Sequence, residues 1–89
     1  MQERYGVAAF RSRTQVLRLE ARLQRLGVPA RVVTTPRSVS MGCGLSVRFP
    51  LESAQTVRAA IRAEDHSGLI GLYRAEYDGA RLRLGHLGG

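Results

Sequence analysis

Hydrophobic and polar positions along this chain switch between two periods, and the switches mark the elements. Tyr5-Gly6-Val7-Ala8-Ala9-Phe10 is a compact apolar run bounded by charge, the pattern of a short buried strand. Ser12 then predicts a helix N-cap, and Gln15 completes a capping box. Val16, Leu19, Leu23 and Leu26 recur at helical spacing, while Arg18, Arg22 and Arg25 fall on other faces. Gly27 supplies the C-cap and Pro29 stops continuation. Ala30 to Thr34 is β-branched and nearly alternating, a second strand. Thr35 to Gly44 reads as a long loop, the kind that often carries function. Leu45 to Phe49 alternates as a third strand, with Leu45, Val47 and Phe49 as its apolar face. A second helix is predicted from Leu51–Ser53 to about Asp65, its inward stripe being Ala54, Val57 and Ile61 with Ala60 beside them.

Leu69 to Tyr77 follows as a fourth strand, interrupted by Gly71. Asp78-Gly79 is a tight-turn dipeptide, and Ala80, Leu82 and Leu84 alternate after it. The order β-α-β-β-α-β predicts an α+β, ferredoxin-like domain with two helices on one face of a small sheet. An extra C-terminal edge hairpin fits the last pattern. Residues 1–89 form one domain in this reading, with its core at about residues 5–77 and a frayed tail at 85–89.

Composition narrows the class. At 89 residues the chain has room for one modest core, which disfavours a deep site around a large cofactor, and none is expected. The longest uncharged stretch, Ser38 to Val47, mixes Ser and Gly with apolar residues and cannot span a bilayer. Arg4, Arg11 and Arg13 break up any signal-peptide core. One cysteine cannot form an internal disulfide, which agrees with a reducing compartment. The expectation is therefore a cytoplasmic protein. The net charge is +7, and all 14 basic residues are Arg. The absence of Lys and the spread from Arg4 to Arg83 favour compositional bias over a nucleic-acid surface.

Chemistry concentrates on Cys43, which lies between Gly42 and Gly44 in the loop. Flanking glycines leave a sulfur sterically open. They also allow successive N–H groups to hold an anion. Thiolate is favoured by nearby positive charge, and Arg37 and Arg48 are the cations on either side. The competing reading is a small, inert apolar filler. Cysteine-hydrolase chemistry lacks an oriented base, since His66 and His86 both read as solvated. One Cys and two separated His match no metal-ligand spacing, and no metal is expected. No phosphate-loop or dinucleotide-binding glycine motif occurs.

Tyr5-Gly6-Val7-Ala8-Ala9-Phe10, Leu26-Gly27-Val28, Thr35-Pro36-Arg37 and Cys43-Gly44-Leu45-Ser46-Val47-Arg48-Phe49 occur in this order. Together they resemble the selenium/sulfur (Se/S) carrier protein-like family of small bacterial domains. The resemblance covers roughly Tyr5 to Ala63, and Pro36-Arg37 followed by Cys43-Gly44 is its most specific part. It implies that Cys43 is the carrier thiol, that Arg37 steers or holds an anionic cargo, and that Gly44 keeps the loop open. Met41-Gly42 stands where the family pattern leads one to expect Ser before the cysteine.

The leading expectation is a non-enzymatic carrier. Cys43 would hold sulfur or selenium as a persulfide or selenosulfide and pass it to an acceptor. Gly42, Gly44, Arg37 and Arg48 would surround the cargo. A cysteine desulfurase or selenocysteine lyase is the natural donor protein. Two other readings stay open. One is a binding or regulatory domain acting through a sheet edge or the terminal hairpin, as in a homodimer, with Cys43 structural. The other, less favoured, is weak nucleic-acid binding.

Overall fold

The first apolar run becomes strand β1 (Gln2–Phe10), and the helical pattern becomes α1 (Arg13–Arg25). A computed structural model describes residues 2–37, 39 and 44–87. The remaining elements are β2 (Arg31–Thr34), β3 (Leu45–Phe49), a 3-10 turn at Leu51–Ser53, α2 (Ala54–Arg62), β4 (Leu69–Asp78) and β5 (Arg81–His86). The five strands form one antiparallel sheet in the order β2-β3-β1-β4-β5. The result is a small α+β fold. It exceeds the six-element expectation by one strand, because the Asp78-Gly79 turn does fold β5 back onto β4. Gly79 takes φ +68° there, a conformation other residues resist.

Register assigns each strand residue to a face. Gly6, Ala8 and Phe10 stand beside Phe49, Val47 and Leu45 of β3. Ala8, Phe10, Val47 and Phe49 join Val16, Leu19 and Leu23 of α1 and Val57, Ala60 and Ile61 of α2 in one core. The predicted stripes of both helices and of β3 therefore face this core, except that Leu26, expected in the α1 stripe, is 54% exposed because it is the cap residue where the helix ends. The other face carries Tyr5, Val7 and Ala9 beside Arg48 and Ser46, with Tyr73, Ala75 and Tyr77 on the opposite flank. Val7, Ala9 and Ala75 are buried there too, at 0–1% exposure.

Several element ends differ from the sequence pattern for identifiable reasons. Ser12 Oγ accepts from the Gln15 backbone N–H at 3.3 Å, as a cap should. The reciprocal half of the capping box does not form. Gln15 instead donates from Nε2 to Ser67 Oγ and accepts at Oε1 from the Gly68 N–H, tying the helix start to the segment before β4. At the other end Leu26 is the cap residue and Gly27 lies beyond it at φ +85°. Val28 N–H bonds Leu23 O and Gly27 N–H bonds Gln24 O, a Schellman closure. Helix α2 stops at Arg62, short of the predicted Asp65. The Asp65 carboxylate accepts from the Ser67 N–H at 3.0 Å, a local bond that competes with helix continuation. Gly71 does not interrupt β4; a register shift opposite Ala9/Phe10 accommodates the strand.

The tail is the clearest correction. Gly85 and His86, expected to be frayed, pair with Arg74 and Tyr73. Leu87 N–H bonds Leu72 O, its carbonyl accepts from Arg58 Nη2, and its side chain packs on the core. A strand-forming alternation that ends on two small or polar residues hid this continuation.

Candidate functional site

The loop between β2 and β3 is held at its neck. The ladder runs to Thr34↔Leu45, and one further bond closes it, from Thr35 N–H to Gly44 O at 3.0 Å. Below this bond the Thr35 and Ser46 hydroxyls meet at 2.7 Å. Both residues are buried, Thr35 at 4% and Ser46 at 0% exposure. A hydroxyl pair that deep satisfies itself, since either oxygen would otherwise lose its bond to water. Gly44 fits against this pair: a Cβ built on it would lie 3.1 Å from Thr35 Oγ1. The loop thus leaves from a fixed base.

Within the loop, Val39 N–H bonds Pro36 O at 3.0 Å, which forms a turn around Arg37. Arg37 is exposed. Gly42 and Cys43 lie outside the described residues. Gly44, the neighbour of Cys43 in sequence, is the anchored one. Arg48 belongs to a different neighbourhood. It sits four residues beyond Gly44 along β3, roughly 13 Å at strand rise. Its guanidinium carbon stacks 3.8 Å from the centre of the Tyr5 ring, and its Nη2 bonds Glu3 Oε1 at 3.0 Å. Burial raises the Tyr5 hydroxyl above its ordinary pKa; the Arg48 charge works against that rise, and Tyr77 and Glu3 add to it.

Each of the two histidines has a neighbour of its own. His66 Nδ1 lies 2.9 Å from Glu64 O beyond α2, and His86 lies against Tyr73 with ring centres 5.0 Å apart. Among the described residues no three His, Cys, Asp or Glu side chains gather as a metal ion would need. No helix there is long and apolar enough to cross a membrane.

Sequence reasoning missed Thr35 and Ser46. Ser46 sits in an alternating strand, where a polar residue normally faces water. The available signal was a small hydroxyl residue at each side of the loop, which is weak by itself.

The fold and the pinned loop define a small α+β domain with its lone cysteine next to an anchored glycine. The family model described as "Putative Se/S carrier protein-like" matches residues 5–70, and the chain belongs to that family. The matched span holds β1 from Tyr5 onward, both helices, the β2–β3 loop and the first residues of β4. No curated protein and no solved structure matches the chain.

Proposed function

We propose that this protein is a non-enzymatic carrier that holds sulfur or selenium on Cys43 as a persulfide or selenosulfide and hands it to an acceptor. Family membership over residues 5–70 is the observation that carries the reading. The frame is read as ferredoxin-like: leaving out β5, the strands stand in the order β2-β3-β1-β4.

The chemistry is exchange at sulfur. The Cys43 thiolate attacks the outer sulfur or selenium of a donor persulfide or selenosulfide. A new S–S or S–Se bond forms, and the donor's own S–S or S–Se bond breaks, releasing the donor thiolate. An acceptor nucleophile then attacks the outer atom and Cys43 leaves as thiolate. No electron is gained or lost over the two steps, and the rate follows thiolate fraction and access. A cysteine desulfurase or selenocysteine lyase fits as donor. The donor supplies the activated atom, so the carrier needs no base of its own. Arg37, exposed on its turn, is the loop's cation and suits an anionic terminal sulfur. The pinned neck at Thr35 and Gly44 gives the loop a fixed origin.

Intact mass tests this directly. After incubation with a cysteine desulfurase and cysteine, the wild-type protein should gain one sulfur that reductant removes. Cys43→Ser should gain none. Equal labelling of both proteins, or no labelling of either, would sink the carrier reading.

A second reading rests on β5, the outer strand of the sheet, which carries Arg81 and Arg83. In it the domain binds a partner through that edge and Cys43 is structural. The opposite edge is less suited. Glu20 Oε2 accepts from the Val32 N–H at 3.1 Å, and Gln24 Nε2 donates to Ala30 O at 3.0 Å. Side chains of α1 thus occupy groups that an added strand would use at β2.

A further inference from the structure

Arg31 and Arg48 are directly opposed in the β2–β3 ladder, so their side chains leave the same face of the sheet side by side. Directly opposed like charges destabilise a sheet pair. This pair also lines a groove of about 640 Å³, together with Arg4 and Tyr5. A groove that size is in the range that holds a small molecule. Arg48 is held in place by the Tyr5 ring and by Glu3. Arg4 is paired with Glu76 at 3.6 Å. Among the described residues no carboxylate is paired with Arg31.

We propose that this groove is a binding site for a phosphate-bearing small molecule, with Arg31 and Arg48 gripping the phosphate between them. Two guanidinium forks on one side match a tetrahedral oxyanion, and each can donate two parallel N–H bonds. The bound anion would relieve the repulsion that the register builds in. Tyr5, partly buried under Arg48, gives the site an apolar wall. Glu3 is the opposing group: it neutralises Arg48 in the free protein and must yield part of that contact to the ligand. The site lies at the far end of β3 from the cysteine loop, so it stands whether or not Cys43 carries cargo.

Isothermal titration with pyrophosphate, and separately with inorganic phosphate, tests the site at fixed ionic strength. Pyrophosphate should bind saturably with one site per chain. Arg31→Gln and Arg48→Gln should each weaken it at least tenfold. Arg62→Gln, on the exposed side of α2, should leave it unchanged. Glu3→Gln should tighten it, an effect of opposite sign that lost packing would not give. Thermal melting distinguishes a damaged fold from a lost site: Arg31→Glu should melt no lower than wild type yet show no rise with pyrophosphate. An aspartate-rich peptide binding as well as pyrophosphate would assign the groove to acidic protein segments and overturn the proposal. Equal weakening by Arg62→Gln would do the same, reducing the effect to diffuse attraction by net charge.

Discussion

At the residue scale, two glycines show how different causes demand the same residue. A Cβ on Gly6 would lie 2.2–2.8 Å from three atoms of the Phe49 ring, its cross-strand partner. Phe49 is 1% exposed and packed into the core, so the ring has little room to retreat. Gly6→Ala should lower stability by about 1–3 kcal/mol, read from urea midpoints, as overpacking does. Shrinking the ring should offset part of it: Gly6→Ala with Phe49→Leu should cost less than the two changes summed. Gly27 has nothing within 4 Å of such a Cβ, but its φ is +85°. Gly27→Ala should therefore cost about 1–2 kcal/mol from backbone alone, with no partner able to rescue it. The Thr35–Ser46 pair behaves differently again. Ser46→Ala strands a buried hydroxyl and should cost about 1–3 kcal/mol, whereas adding Thr35→Val should recover much of the loss, because neither oxygen is then left unpaired. Equal losses in the single and double variants would mean that the hydroxyls are not partners.

At the element scale, the helix stripes and β3 were legible because their periodicity is set by burial on one side. Val16, Leu19 and Leu23, then Val57, Ala60 and Ile61, are the buried positions that the pattern marks. Element ends were less legible, because distant side chains decide them. Gln15 bonds Ser67 and Gly68, partners more than fifty residues away that no local motif could announce. Asp65 ends α2 through a bond to Ser67, and that bond makes a pH prediction. The Ser67 backbone N–H, with its hydroxyl and Gln15 assisting and the His66 charge adding to them, holds the Asp65 carboxyl below its ordinary pKa. A depressed carboxylate stabilises the fold above its unfolded pKa, and that contribution is lost as pH falls through the folded value. Asp65→Asn should therefore flatten the acid side of the stability profile while leaving the neutral side nearly parallel to wild type. The group is fully exposed, so the effect should shrink further in salt. An acid limb unchanged by Asp65→Asn would show that the bond to Ser67 does not persist in solution.

At the scale of the whole molecule, the chain divides into a part that matches its family and a part that extends it. The matched residues 5–70 stop just inside β4, yet β4 continues to Asp78 and β5 returns to His86. The site loop was legible as a loop, since Gly and Ser interrupt both periods there. Its base at Thr35 and Ser46 was not, because a buried hydroxyl pair looks in sequence like two surface positions. Nor could periodicity tell that the extension is integral: Leu87 packs on the core while its main chain bonds Leu72 and Arg58. This division separates the two functional readings. The variant Arg81→Glu with Arg83→Glu changes the outer strand's charge at exposed positions and leaves the core pairs intact. If Cys43 carries the function, that variant should accept sulfur from the donor at the wild-type rate, while Cys43→Ser accepts none. If β5 is a docking edge, partner binding should fall with the charge reversal and survive Cys43→Ser. Circular dichroism on each variant guards the comparison: Cys43→Ser should melt within a few degrees of wild type, and the charge-reversed variant, whose new glutamates stand opposite Glu76 and Asp78, should keep the wild-type spectrum and a cooperative melt at a lower temperature. Loss of sulfur loading in the charge-reversed variant, with its fold intact, would place β5 at the donor contact and join the two readings into one.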